Sequence, residues 1–450
     1  MRPRDNYQFL TQASVGTVIA VMAVPSVVSM LVTSLYSIAD AFFVGQIDTQ
    51  ATAAVGIVFV VMSVIQAIGF LFGQGAGVSI AHHLGTRRHA EAGRMASTAF
   101  AGSVLSGVLI ATIGQLFLKD ISLALGSTPT ILPYTERYLS IILMGAPFVA
   151  GALTLNNEMR FQGNAAIAMI GIVSGAVANI LFDALFIIGF GWGIGGAAGA
   201  TVVSQAISFF LLLSMTYRHG NIPILLRHIR PTRRMATDIL RGGTPSLTRQ
   251  SLGAIATACL NLIASRYGDA AIAGMTVVTR FTFFINSIII GTGQGFQPLC
   301  GFCYGARLYG RVRRGFWLCV RWGTVFLVCC AVLVYGFAED VMSVFRDDAD
   351  VIAVGVDAFR WQVVTWPLCA FLMLSNMMMQ SLGKTLRANI VAGARRGLFF
   401  IPLIFVLPQW MGLMGVEMCQ AVADVCSFLL TAPLTYSILR ELSTPERKQE

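Results

Sequence analysis

Four polar side chains stand inside otherwise apolar stretches: Asp40 in SLYSIADAFFVGQ, Asn179 and Asp183 in GAVANILFDALF, and Thr201 in GAAGATVVSQ. Asn179 and Asp183 are four residues apart and share one helical face. The glycine-rich turn GFGWGIGG, residues 189–196, is centred near Trp192, with Asp183 nine residues before it and Thr201 nine after. Two antiparallel helices would therefore bring Asp183 and Thr201 to one depth, roughly 13 Å from the turn at 1.5 Å per residue. Two carboxyls, an amide oxygen and a hydroxyl can hold a proton shared between acids, or a small hard cation such as sodium in oxygen ligands. An acid within a membrane helix costs several kcal/mol unless it faces a partner or water, so it marks an ion pathway. Pro25, about fifteen residues inward of Asp40, removes a backbone hydrogen bond and is a candidate hinge through which ion binding could bend the first helix.

These residues need a frame. With 56% hydrophobic and 12% charged residues in 450, the chain has too little polar surface for a soluble body of that size. Apolar runs long enough to span a bilayer fall at about 17–41, 51–80, 95–117, 133–157, 164–189, 196–217, 242–265, 270–300, 315–337, 353–381, 386–408 and 414–438. The fold class is all-α integral membrane with twelve transmembrane helices. The net charge of +10 comes from arginines in short loops, not from a tract with interleaved aromatics, and nucleic acid is not an expected partner. One set of alternate connections holds 21 Lys and Arg and the opposite set four, which predicts a multi-pass protein of the cell inner membrane with both termini cytoplasmic.

The chain repeats. An offset of 220 pairs Pro25-Ser26 with Pro245-Ser246, Gln74-Gly75 with Gln294-Gly295, Arg94 with Arg314, Asn156 with Asn376 and Gly163 with Gly383, and the register slips by one after the fifth span. Six spans per copy make this a parallel repeat about an axis along the membrane normal. The division expected is an amino-terminal lobe over 1–217, a basic cytoplasmic linker over 218–241 with TRRMATDILR as an amphipathic surface helix, and a carboxyl-terminal lobe over 242–450. Asp40, Asn179 and Asp183 map onto Leu260, Phe399 and Leu403, so the ionisable constellation belongs to the first half alone. The halves are alike in architecture and unlike in chemistry.

Other polar residues in the spans are candidates for a substrate cavity between the lobes: Asn156, Asn157, Gln250, Arg280, Asn376 and Gln380, with Met377 as a flexible apolar wall. Arg249 and Arg280 are costly at their depth, and Asp424 or Glu417 could neutralise one of them. The nine cysteines all follow residue 258 and imply neither a disulfide framework nor a metal centre. No nucleotide-binding loop signature and no loop long enough for a soluble catalytic domain is present, so the chain is not read as an enzyme and calls for no cofactor beyond the coupling ion.

The sequence resembles the multidrug and toxic compound extrusion (MATE) family. The resemblance is carried by YSIADAFFVGQ with DTQATAAVG, by FGQGAGVSIAHHLGTRRHAEAGR, by RFQGNAAIAMIGIVSGAVANILFDALFIIGFGWGIGGAAGATVVSQ, and by PSLTRQSLG with GTGQGFQPLCGFCYGAR. It implies a two-lobe fold that exports organic, mainly cationic and aromatic, compounds in exchange for protons or sodium by alternating access; separately, the chain is expected to function as a monomer, with small organic substrates and membrane lipid as its partners. It also implies that Asp40, Asn179, Asp183 and Thr201 correspond to the family's amino-lobe cation site. Branches with further acids in the seventh and tenth spans are matched less well, because the seventh span here holds Arg249 and Gln250. A flippase for a lipid-linked precursor, which would want a cavity rich in arginine, is the rival expectation, and a passive channel a more distant one.

Overall fold

The computed structural model describes residues 6–218, 220–345 and 348–443. Arg2, Arg4, Arg346, Arg447 and Lys448 of the charge count lie outside the described residues. The described residues form helices and their connections, with no strand among them, and twelve long elements: α1 (Val15–Gly45), α2 (Thr49–Gly85), α3 (His89–Leu116), α4 (Leu132–Phe161), α5 (Ala165–Gly189), α6 (Gly193–Thr216), α7 (Arg233–Ala264), α8 (Asp269–Gly305), α9 (Tyr309–Gly336), α10 (Ala349–Val363 continued by Trp366–Ser381), α11 (Thr385–Met411) and α12 (Leu413–Glu441). Among the described residues, ten of these are long and apolar enough to cross a membrane, and the two parts of α10 make an eleventh crossing. The twelfth, α7, is 32 residues long, but Arg249, Gln250 and Asn261 dilute its apolar character.

Two features differ from expectation. The tenth span bends by 59° between Val363 and Trp366. Pro367 at the start of its second part permits the break, since proline withholds a backbone donor and restricts the residue before it. Residues 233–241 are not a separate surface helix. They form the first turns of α7, whose start is capped by the Thr232 hydroxyl accepting from the Met235 amide at 3.2 Å. The connection before them is fastened to the first half: the Ile222 amide donates to Gln162 at 2.8 Å and the Leu225 amide to Ser97 at 3.1 Å.

The repeat is visible atom by atom. Asn156 Nδ2 donates to the Ala168 carbonyl and Asn376 Nδ2 to the Ala388 carbonyl, each at 2.7 Å and each pair offset by 220. Among the described residues two that are not glycine adopt positive φ, Arg87 at 60° and Arg307 at 59°, again 220 apart. Gly193 and Gly412, at φ 55° and 61°, carry the one-residue slip. The fold is thus two parallel six-helix copies, α1–α6 and α7–α12.

The copies meet along a two-fold seam in which α2 packs on α7 and α8 on α1. Gly75 lies against Ile239 and Gly242, and Gly243 against the Leu71 backbone; in the mirrored contact Gly295 lies against Met22 and Ala23, and Gly291 against Val27. A Cβ on Gly242 would stand 2.9 Å from the Gly75 carbonyl oxygen, so backbone meets backbone here and only glycine fits. Below this, Gly85 and Gly305 bring the ends of α2 and α8 together, and His82 Nε2 meets the Ser381 carbonyl at 2.7 Å. All of these contacts lie toward the arginine-rich end. In the other half of α1 and α7, Leu35, Ile38, Phe42, Ile255 and Leu262 are exposed.

Candidate functional site

The amino-terminal half folds so that α1, α4, α5 and α6 enclose one polar chamber. Asp183 ends the regular part of α5, and the next turn, Ala184–Gly189, is π-helical. Such bulges are enriched at functional positions. Gly191 and Gly193, at φ 65° and 55°, then reverse the chain within a cluster where the Phe186 and Trp192 rings stand 5.0 Å apart. The returning α6 brings Thr201 beside Asn179, with Asn179 Nδ2 3.5 Å from Thr201 Oγ1, and the Thr201 hydroxyl also donates to the Ala197 carbonyl at 3.1 Å. Asp183 is fully buried, Asn179 and Thr201 nearly so, and Asp40 is half-buried on α1.

Two tyrosines complete the chamber. The hydroxyls of Tyr36 on α1 and Tyr138 on α4 reach Thr201, and both rings lie within electrostatic reach of Asp40 and Asp183. Sequence reasoning missed both. Tyr36 stands four residues before Asp40, a same-face spacing that could have flagged it; Tyr138 carries no such signal.

The chamber's electrostatics are unusual. Neither oxygen of Asp183, nor Oδ1 of Asp40, nor Oδ1 of Asn179 accepts a hydrogen bond from the described residues, although all four are buried. Unsatisfied acceptors of this kind are costly and rare in folded proteins. Four buried oxygens without donors on these neighbouring helices suit a proton or a small cation in oxygen ligands.

The candidate hinge sits at the seam. Pro25 lies between Met22 and Ala23, which touch Gly295, and Val27, which touches Gly291. Between it and Asp40, the hydroxyls of Ser29, Thr33, Ser34 and Ser37 each donate to the carbonyl four residues earlier, at 2.8–3.0 Å. Back-bonding of this kind loosens and bends helices.

The residues expected to line a substrate cavity fare differently. Asn156, Asn157, Asn376, Gln380 and Met377 are at most 4% exposed and belong to the packed interior in this conformation. Asn156 Oδ1 and Asn157 Oδ1 accept from Arg160 at 2.6 and 3.1 Å, Asn157 Oδ1 also from Gln74 at 2.8 Å, and Gln380 Nε2 donates to the Gly242 carbonyl at 2.8 Å and Ser246 Oγ at 2.9 Å. Asn156 and Asn157 thereby serve the seam, because Arg160 on α4 also donates to Gln294 of the opposite half, while Asn376 and Gln380 bond within the second half. Gln250 is half-buried and Arg280 exposed.

The buried charge of the second half also departs from expectation. Asp424 pairs with Arg395, not with Arg249 or Arg280: Arg395 Nε and Nη2 lie 2.6 and 3.1 Å from its two oxygens, and Gln420 adds a bond at 2.7 Å. Arg249 instead donates to Asn376 at 2.9 Å. The cause is helix adjacency, since α11 and α12 pack directly on one another. Among the described residues no cluster of His, Cys, Asp or Glu that could hold a metal by three or more ligands is present.

Fold and chamber together define the class: a two-lobe, twelve-helix membrane transporter. A family model described as MatE matches residues 25–185 and 245–406, two segments whose starts are 220 apart. The chain belongs to the MatE family. Relatives include the multidrug export protein MepA of Staphylococcus saprophyticus, 26% identical over 95% of this chain and 94% of that protein, and MepA of Staphylococcus aureus, 26% identical over the same shares. The fold also matches a solved MOP superfamily transporter from Pyrococcus furiosus, at TM-score 0.92 and 24% identity over 99% of this chain and 100% of that one. It matches the outward-facing conformation of a multidrug resistance MATE family transporter equally well, at TM-score 0.92 and 24% identity over 98% and 99%.

Proposed function

We propose that this chain is a secondary multidrug exporter that moves organic compounds, mainly cationic and aromatic, out of the cell in exchange for protons or sodium. The observation that carries the reading is the chamber of Asp40, Asn179, Asp183 and Thr201, in which Asp40, Asn179 and Asp183 carry buried oxygens without donors among the described residues and have Leu260, Phe399 and Leu403 as their counterparts in the other half. The names of the MepA relatives support the substrate class. Arginine excess at one end supports an orientation with that end, and both termini, in the cytoplasm of the inner membrane. The conformation described is then the outward-facing one.

The reading assigns the site a cycle. Ion binding at Asp40 and Asp183 relieves the chamber's unsatisfied oxygens and pulls on α1, which bends through its loosened stretch near Pro25. Because Ala23 and Val27 are seam residues, that bend alters the α1 and α8 contact and with it the balance between outward and inward states. Exchange requires that ion and drug differ in their affinity for the two states. The flippase reading loses support, since Arg395 is held by Asp424 and Arg249 by Asn376. No resident cofactor enters, and the monomer holds the whole proposed site. The test is dye efflux from everted vesicles energised in turn by a pH gradient and by a sodium gradient. Movement under one gradient names the ion; movement under neither overturns the reading.

A further inference from the structure

A second charged feature lies on the outside of the molecule, where efflux makes no use of it. On α9, Arg314 and Arg321 are seven residues apart, two turns on one exposed face, with the exposed Trp317 between them and Arg313 beside them. They line two adjoining grooves of about 410 and 500 Å³ that share Trp317 and Arg321. The first groove is also lined by Val15, the first residue of α1, so the other lobe contributes to its edge. Among the described residues, neither Arg314 nor Arg321 has an ion pair or hydrogen bond, while Arg313 donates to Ser443 at 2.6 Å.

Depth makes this costly. The helix α9 has 28 residues, about 42 Å, against roughly 30 Å of hydrocarbon. Centred in the bilayer, it would set Arg314 near the inner boundary of the hydrocarbon and Arg321 about 10 Å deeper. An arginine with no anionic partner among the described residues at that depth snorkels or meets an anion from the lipid. The grooves are of ligand size, open to the bilayer face, basic at the arginine-rich end, apolar beyond it through Val320 and Val325, and flanked by an indole suited to the headgroup level.

We propose that this cleft is a binding site for an anionic phospholipid, its phosphate held by Arg314 and Arg321 and its acyl chains lying along Trp317, Val320 and Val325. A lipid seated there touches α1 and α9 at once. It lies beside the point where Arg311 Nη2 donates to the Leu10 and Ala13 carbonyls at 3.1 and 2.6 Å, fastening the foot of α1 to the opposite lobe. The lipid thereby braces the lobe arrangement described above.

The test is native mass spectrometry of the purified full chain titrated with phosphatidylglycerol or phosphatidylcholine, for the wild type, Arg321→Gln, Arg314→Gln and the double variant. Arg227→Gln, on the connection between the lobes, is the control. Wild type and control should retain phosphatidylglycerol over phosphatidylcholine, and the double variant should lose about thirtyfold in that preference, at about one kcal/mol per arginine. Each single variant should lose part of it, so that one poorly folded variant does not decide the matter. Equal retention of both lipids by the wild type, or an undiminished preference in the double variant, would overturn the site. So would inorganic phosphate alone displacing phosphatidylglycerol completely, because the acyl chains would then contribute nothing.

Discussion

Replacing Gln294 by Leu should open the seam at the arginine-rich end. Arg160 reaches across the lobes to Gln294, while its other partners, Asn156 and Asn157, share its own helix. The substitution therefore removes the one Arg160 bond that depends on lobe arrangement and leaves the guanidinium still engaged. A hydrogen bond from a charged donor contributes about 1.5–3 kcal/mol net. The equilibrium between sealed and open seam should shift toward open by about 12- to 150-fold. The molecule supplies its own reporter: Cys303 is fully buried, with its sulfur 3.6 Å from the Leu10 carbonyl across the seam, whereas Cys369 and Cys419 are buried within the second lobe. Alkylation followed residue by residue by mass spectrometry should show Cys303 reacting faster in Gln294→Leu by that factor, with Cys369 and Cys419 unchanged. Arg160→Met should reproduce the acceleration, and the double variant should add little to either. An unchanged Cys303 rate, or equal acceleration at all three cysteines, would refute the assignment of this bond to the seam.

Three further outcomes follow from the packing. Asp424→Asn strands Arg395, whose side chain is 13% exposed, and should cost about 3–5 kcal/mol, read as a lower thermal midpoint in detergent, while replacing both residues by Leu should recover most of the loss. Gly243→Val drives a side chain into the Leu71 backbone, so it should abolish the sealed state and transport while the protein still reaches the membrane, checked by Cys303 alkylation and efflux together. Thr201→Val leaves Asn179 Nδ2 without its partner and should weaken coupling-ion affinity by about 5- to 150-fold, for a cost of about 1–3 kcal/mol, measured as a rightward shift in the ion dependence of efflux.

The fold was legible because its signals are long-range and redundant. Twelve apolar runs and a constant offset survive any local ambiguity, and the positive φ at Arg87 and Arg307 shows the same repeat in the backbone. The bend in α10 was harder to read, since Pro147 occupies the equivalent position in α4 and lies inside a continuous helix. The identical residue breaks one copy and not the other, so packing decides. At the site, acids in apolar helices stand out on energetic grounds, and Asp40, Asn179, Asp183 and Thr201 were all named from sequence. Tyr138 was not, because a tyrosine in a membrane helix is ordinary until its hydroxyl is seen to reach Thr201. The buried amides were read toward a cavity for a related reason. Asparagine and glutamine look alike in sequence whether they meet a substrate or partners within their own lobe, and only the positions of Arg160, Arg249 and Ser246 separate the two cases.

The most direct test of the central claim, that the coupling ion binds in the first lobe, is efflux from everted vesicles by Asp183→Asn and Asp40→Asn, each made at wild-type protein level. The asparagine keeps the shape and removes the charge. The account predicts that gradient-driven efflux disappears in Asp183→Asn and falls sharply in Asp40→Asn, while drug binding to the purified proteins persists. Full efflux by both variants under the same gradient would contradict it.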